Sequence, residues 1–349
     1  MDMKKTAVLY AVGAAVCYGA STPLSKLLLL KLSPAMLSAL LYLGAGLGML
    51  VMRTFSDKQN AAKEAAVTMH ELPYVLAMIV LDVAAPILLM LGLTRTTPAT
   101  ISLINNFEIV ATAVIAFAFF REAIGRRLII AIILITVSTM LLSVEDYHSL
   151  SFSIGAIFAL LACVCWGLEN NCTRMLSLKD PLQIVTIKGL GSGAGALLIA
   201  LLTRSATFDP IYILYAMVLG FLAYGLSIFY YILAQRELGA ARTSAYYAFA
   251  PFVGVALSFL VYGQRVTWGF VAALLLMLLG SYFTAFEKHQ HPHTHEPVEH
   301  EHRHNHADGH HTHTHESPVA GEHSHLHQHE TFTHAHAHTP DLHHTHSHG

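Results

Sequence analysis

From Ala7 to Phe286 the chain alternates long apolar stretches with short polar breaks. Each stretch holds roughly 20 residues, enough for a helix to cross a ~30 Å hydrocarbon layer. The pattern predicts ten spans: Ala7–Leu29, Ala35–Met52, Leu72–Thr94, Pro98–Phe119, Leu128–Ser143, Ser153–Met175, Leu182–Leu202, Ile211–Gln235, Ala241–Tyr262 and Thr267–Phe286. Ser33-Pro34, Thr97-Pro98, Asp180-Pro181 and Asp209-Pro210 mark helix starts, because proline suits a first helical turn and Ser, Thr or Asp can cap it. The longest break, Arg53 to Glu71, has room for a short surface helix. The fold class expected is an all-α membrane protein with ten transmembrane helices.

The pattern is used twice. Tyr18-Gly19 is followed seven positions after the glycine by Lys26, and Trp166-Gly167 at the same spacing by Arg174. Leu93 to Glu122, centred on Glu108-Ile109, is matched by Gln235 to Gln264, centred on Ala250-Pro251. Five spans per half is an odd number, so the second half enters from the other side and the two five-helix repeats are inverted. The expected division is residues 1–150 for spans one to five, 151–287 for spans six to ten, and 288–349 for a disordered His-rich tail.

Composition narrows the class. The chain has 349 residues, 54% hydrophobic and 12% charged, about half the charge of a soluble protein. A net charge of −2 without a basic stripe gives no support to nucleic-acid binding. Cys17, Cys163, Cys165 and Cys172 all lie inside apolar stretches and read as reduced, packed thiols. Lys and Arg collect at the ends of alternate loops, from Lys4, Lys5 and Arg53 through Arg126, Arg127 and Lys179 to Lys288. The opposite loops hold Lys31, Arg95, Arg204 and Arg265. By the positive-inside rule both termini are expected in the cytoplasm and the protein in the cell membrane.

The chain resembles ten-helix transporters of the EamA type in the drug/metabolite transporter superfamily. The resemblance rests on Tyr18-Gly19 and Trp166-Gly167, Lys26 and Arg174, and Phe119-Phe120-Arg121-Glu122. It rests also on Tyr231 with Ala234 before Leu238-Gly239-Ala240-Ala241, and on Pro251. It implies a basket of helices around a central cavity, peripheral fifth and tenth helices, and outward movement of a small organic solute. Two positions depart from the pattern: Glu108-Ile109 where the second half has Ala250-Pro251, and Gln264 where a Glu is usual.

Ionisable groups inside a span cost about 2.5–3.5 kcal/mol on insertion scales, so each needs a partner, a cavity or a function. Asp82 lies near the middle of the third span, four residues before Pro86, and Glu108 near the middle of the fourth. Asn105 and Thr112 flank Glu108 by one turn, which predicts one shared face. Glu169 and Asn170 sit in the sixth span, Asn170 on the face of Trp166, and Lys188 is a third of the way into the seventh. Asp82 and Glu108 are candidates for proton coupling or contact with a polar solute. The alternative is a carboxyl paired to a donor on a neighbouring helix, for which Lys188 is available. Tyr18, Trp166, Tyr246 and Tyr247 are candidate cavity aromatics, or packing ones. A face of Cys165, Glu169 and Cys172 offers a weaker case for soft metal ligands.

Of the 25 histidines, all but His70 and His148 lie between His289 and His348. His291, His293, His295, His311, His313, His315, His334, His336 and His338 stand at alternate positions, so a flexible chain can fold several imidazoles around zinc, nickel, cobalt or copper. No cofactor is required. The spans hold no His-Glu-x-x-His step and no Gly-x-Ser-x-Gly elbow, so an enzyme is not expected. The leading expectation is a secondary transporter exporting a small organic metabolite or drug-like solute, with a metal-binding tail. A transition-metal transporter is the alternative, and a metal-sensing membrane protein or intramembrane enzyme a further one.

Overall fold

A computed structural model describes residues 3–55, 67–120, 125–146, 151–176, 179–238 and 240–285, and in the tail residues 290–294, 299–304, 323–328 and 333–337. Among the described residues ten helices are long and apolar enough to cross a membrane: α1 (Lys5–Leu28), α2 (Pro34–Thr54), α3 (Met69–Arg95), α4 (Pro98–Phe119), α5 (Arg126–Ser143), α6 (Ile154–Arg174), α7 (Leu182–Leu202), α8 (Pro210–Gln235), α9 (Arg242–Tyr262) and α10 (Trp268–Ala285). Between the two halves, β1 (Val144–Asp146) pairs antiparallel with β2 (Ser151–Phe152). In the tail, β3 (Gln290–Thr294) pairs with β6 (Thr333–Ala337), and β4 (Glu299–His304) with β5 (His323–Gln328).

The punctuation in the sequence acts as expected. Thr97 Oγ1 accepts from the backbone N–H of Thr100 at 3.2 Å, Asp180 from Leu182 at 2.9 Å and Asp209 from Ile211 at 3.1 Å. Each stands directly before a proline, whose missing N–H costs nothing at that position. Gly263 closes α9 in the left-handed conformation, with φ +56°.

Among the described residues three spans are broken where the apolar periodicity does not change. α1 turns at Ala20, α4 at Asn105-Asn106 and α9 at Ala248-Phe249, while α8 carries a π-helical stretch over Phe221–Leu226. The breaks in α4 and α9 fall at corresponding places in the two halves. In α9 the cause is Pro251, which starts a new segment. In α4 the second segment begins at Phe107, so Glu108 lies in its first turn, at the positive end of that helix dipole.

Contacts at the helix ends obey strict alternation. Arg53 at the end of α2 reaches Asp180 before α7, and Lys179 reaches Glu71 at the start of α3. On the other side Tyr262, ending α9, donates to the carbonyl of Pro23 in α1 at 2.8 Å. We call the side on which α1 begins the N-terminal face.

Backbones touch where the sequence offers glycine. A Cβ on Gly44 of α2 would lie 2.1 Å from the Met217 carbonyl oxygen of α8, and one on Gly220 of α8 would lie 2.0 Å from that of Leu41. Gly19 of α1 meets Ala250 of α9, and Gly167 of α6 meets Ala111 of α4. These last two contacts are equivalents in the two repeats, so the internal match in sequence is also a match in packing. In a bilayer, close van der Waals approach of this kind replaces the hydrophobic drive as the force between helices. α5 and α10 lie against each other, with Ser138 Oγ donating to the Ala273 carbonyl at 2.6 Å and Ile135 packed on Gly280.

Candidate functional site

Two polar clusters meet at α6, because consecutive residues on a helix point about 100° apart. Glu169 turns one way and Asn170 the other.

The Glu169 side holds an ion cluster. The Lys188 ammonium lies 3.0 Å from Asp82 Oδ2 and 3.0 Å from Glu169 Oε1. Asp82 and Glu169 are 0% and 1% exposed, so neither carboxylate is compensated by water. Tyr42 donates its hydroxyl to Asp82 Oδ1 at 3.0 Å, and Thr173 donates to Glu169 Oε1. Four helices are thereby tied together: α2, α3, α6 and α7. Below the cluster, toward the N-terminal face, Val75, Met78, Leu176 and Ile184 form a buried apolar layer. Below that layer lie Glu71 and Lys179, 3.2 Å apart, and Arg53 and Asp180, 3.8 Å apart.

The Asn170 side faces a cavity. Asn170 Nδ2 donates to Glu108 Oε1 at 2.7 Å and to Thr112 Oγ1 at 3.2 Å. Asn171 Nδ2 donates to the carbonyls of Gly167 and Thr112 at 2.8 and 3.2 Å, which fixes this stretch of α6 against α4. The cavity, ≈ 370 Å³, runs from Glu108 to Leu128 and Arg174 at the N-terminal face. Its floor offers a carboxylate with lone pairs to spare, an amide and a hydroxyl, and Arg174 stands at its rim. A small solute with a cationic or hydrogen-bond-donating group suits the floor.

The sequence candidates therefore separate into two sets. Asp82, Glu169 and Lys188 come together; Glu108, Thr112 and Asn170 come together. Asn105 is buried and is not among the residues lining the cavity with Glu108; a turn at Asn105-Asn106 lies between them, and the Asn105 backbone carbonyl faces the buried thiol of Cys163. Trp166 is 5% exposed within the main apolar cluster. Tyr18 packs its ring 5.7 Å from that of Tyr247, at a tilt of 34°. A line of rings follows: Tyr42 to Tyr224 at 5.5 Å, Tyr224 to Tyr18 at 6.0 Å, and Tyr247 to Tyr231 at 5.0 Å. Among the described residues no three His, Cys, Asp or Glu side chains are grouped to hold a metal, so Cys165 and Cys172 do not assemble a site with Glu169. Arg121, Glu122, Gly239, His295, His311, His313, His315 and His338 lie outside the described residues, and so do the side chains of His291, His293, His334 and His336.

Sequence reasoning missed Tyr42 and Tyr224. A usable signal was present: Leu43-Gly44-Ala45-Gly46-Leu47-Gly48 in α2 recurs as Leu190-Gly191-Ser192-Gly193-Ala194-Gly195 in α7. That match places Leu41 where Lys188 stands and Tyr42 one position on, where Gly189 stands.

Lys26, the basic residue of the first repeat's motif, donates to the carbonyls of Leu93 and, at 3.2 Å, Thr96. A cation there satisfies carbonyls that the end of α3 leaves without helical partners.

The EamA-like transporter family matches residues 5–144 and again 153–286. The chain belongs to this family. Among curated proteins, this EamA-like chain is 26% identical over 267 residues to an uncharacterised transporter from Methanothermobacter thermautotrophicus, covering 72% of this chain and 77% of the relative. It is 23% identical over 277 residues to the uncharacterised transporter YyaM of Bacillus subtilis, covering 76% of this chain and 90% of YyaM. A protein of known crystal structure shares the fold with a TM-score of 0.56 at 16% identity, over 79% of this chain and 94% of its own. Two family repeats and ten membrane-competent helices make this a multi-pass membrane transporter.

Proposed function

We propose that this EamA-like protein exports a small organic metabolite or drug-like solute carrying a cationic or hydrogen-bond-donating group. The observation that carries the reading is the cavity floored by Glu108, Asn170 and Thr112 and reached from the N-terminal face. A solute donor can take the place of the Asn170 amide on the carboxylate, so polar groups stay satisfied whether the site is empty or filled. The bias of Lys and Arg supports placing the N-terminal face, and with it both termini, in the cytoplasm. Loading from that side makes the protein an exporter. The His-rich tail, in this reading, binds zinc, nickel, cobalt or copper on the cytoplasmic side and acts beside the solute path instead of feeding it.

The test is reconstitution in vesicles of the full chain and of a chain ending at Phe286. Flux of amphipathic cations and amino acids is measured beside flux of zinc, nickel and cobalt. Organic flux unchanged by truncation, with metal binding lost, is the expected result. Metal flux that survives truncation would instead make a metal the cargo.

A further inference from the structure

We propose that Asp82, Lys188 and Glu169 form a proton-binding site that latches the N-terminal face shut, and that one bound proton releases it. Two carboxylates share one ammonium, each 3.0 Å from it, in a place that neither carboxylate leaves for water. With all three groups charged the cluster carries one excess negative charge. Lys188 then bridges Asp82 of the first repeat and Glu169 of the second. A proton added to either carboxylate makes the cluster neutral and leaves Lys188 one anionic partner, so the bridge between α3 and α6 is lost. The ammonium already fills the space between the carboxylates, so a metal cation does not fit there.

Position makes the bridge a latch. Along α3 the residues Glu71, Val75, Met78 and Asp82 follow at helical spacing, and Ile184 and Lys188 do so along α7. The ion cluster therefore sits directly behind the apolar layer of Val75, Met78, Leu176 and Ile184, with the pairs Glu71–Lys179 and Arg53–Asp180 in front of it. The layer cannot part while Lys188 holds its two sides together.

The other repeat lacks this chemistry. Gly44 against Met217 and Gly48 against Phe221 correspond to Gly191 against Ile79 and Gly195 against Val83, which puts Gly220 in the place of Asp82; the internal matches put Ser21 in that of Glu169 and Leu41 in that of Lys188. Leu41 packs on Gly220 as Lys188 sits on Asp82, and none of Gly220, Ser21 and Leu41 carries a charge. At these three positions the symmetry-related side holds no group that a proton would neutralise. The titratable groups facing the cluster from its neighbours are Tyr42 on α2, Cys172 on α6, Tyr224 on α8 and, beyond Asn170, Glu108 on α4. None of them supplies a second cation.

The experiment reads the latch without any solute, so its failure leaves the proposed cargo untouched. Met78→Cys is made in the full-length protein and labelled in detergent with a hydrophilic maleimide between about pH 8.5 and about pH 5.5. Labelling at position 78 is located by mass spectrometry and divided by that of the unfolded protein at the same pH, which removes the thiolate's own pH dependence. The normalised rate is expected to rise as pH falls, by up to about tenfold per pH unit for one linked proton. Adding Asp82→Asn or Glu169→Gln, each a mimic of the protonated carboxyl, should give the fast rate at every pH. If one of these variants fails to fold, the other decides. A flat rate in the Met78→Cys background, or a pH response kept in every folded variant, would overturn the proposal.

Discussion

Lys188→Met is the sharpest perturbation of the fold, because it removes one cation and strands two anions. The side chain is 16% exposed and its partners are 0% and 1% exposed, so solvent screening recovers little of the loss. Removing one member of a buried ion pair costs about 3–5 kcal/mol, mostly from the charge left behind. Methionine matches the lysine stem in length, so packing changes little. The variant should therefore lose about 3–5 kcal/mol near pH 8, read as a fall in the midpoint of thermal unfolding in detergent. A proton taken up by a stranded carboxylate removes a buried charge that has no partner. Stability of the variant should thus recover as pH falls, by up to about 1.4 kcal/mol per pH unit for each proton taken up. The double variant Lys188→Met with Asp82→Asn should regain much of the loss at pH 8. A single variant within about 0.5 kcal/mol of the parent at pH 8, with the same pH dependence, would refute the reasoning.

Four further outcomes are expected. Gly44→Ala places a Cβ 2.1 Å from the Met217 carbonyl oxygen and forces α2 from α8, for a loss of about 1–3 kcal/mol in the same unfolding assay. Lys26→Met uncovers the carbonyls of Leu93 and Thr96 and should cost about 2 kcal/mol, whereas Arg53→Ala, whose ion pair at 3.8 Å is partly exposed, should change stability by less than about 1 kcal/mol. Glu108→Gln keeps the hydrogen bond to Asn170 but removes the charge; in vesicle flux it should raise KM for a cationic solute about tenfold, worth about 1.4 kcal/mol of binding.

Much of the architecture could be read from residue order. Span positions followed from apolar runs, and their starts from Thr97-Pro98, Asp180-Pro181 and Asp209-Pro210, because capping is a local matter. Lys188 as a partner for Asp82 was available from the cost of burying either alone. The breaks in α4 and α9 were less legible. Pro251 announces one; at Asn105-Asn106 two turn-favouring side chains sit inside an apolar run whose periodicity does not change. Glu169 and Asn170 are adjacent in sequence, and only the arrangement of α3, α4 and α7 around α6 decides which of them meets Lys188 and which meets Glu108. Tyr247 in place of Tyr246 against Tyr18 is the same kind of outcome, since a one-residue difference on a helix is a change of face.

The most direct test of the transport account is an experimental structure of the full-length protein with a transported solute bound. The account predicts the solute's cationic or donor group against the Glu108 carboxylate, within hydrogen-bond distance, with Asn170 and Thr112 beside it. A solute bound away from α4 and α6, with Glu108 and Asn170 still joined as they are here, would contradict it.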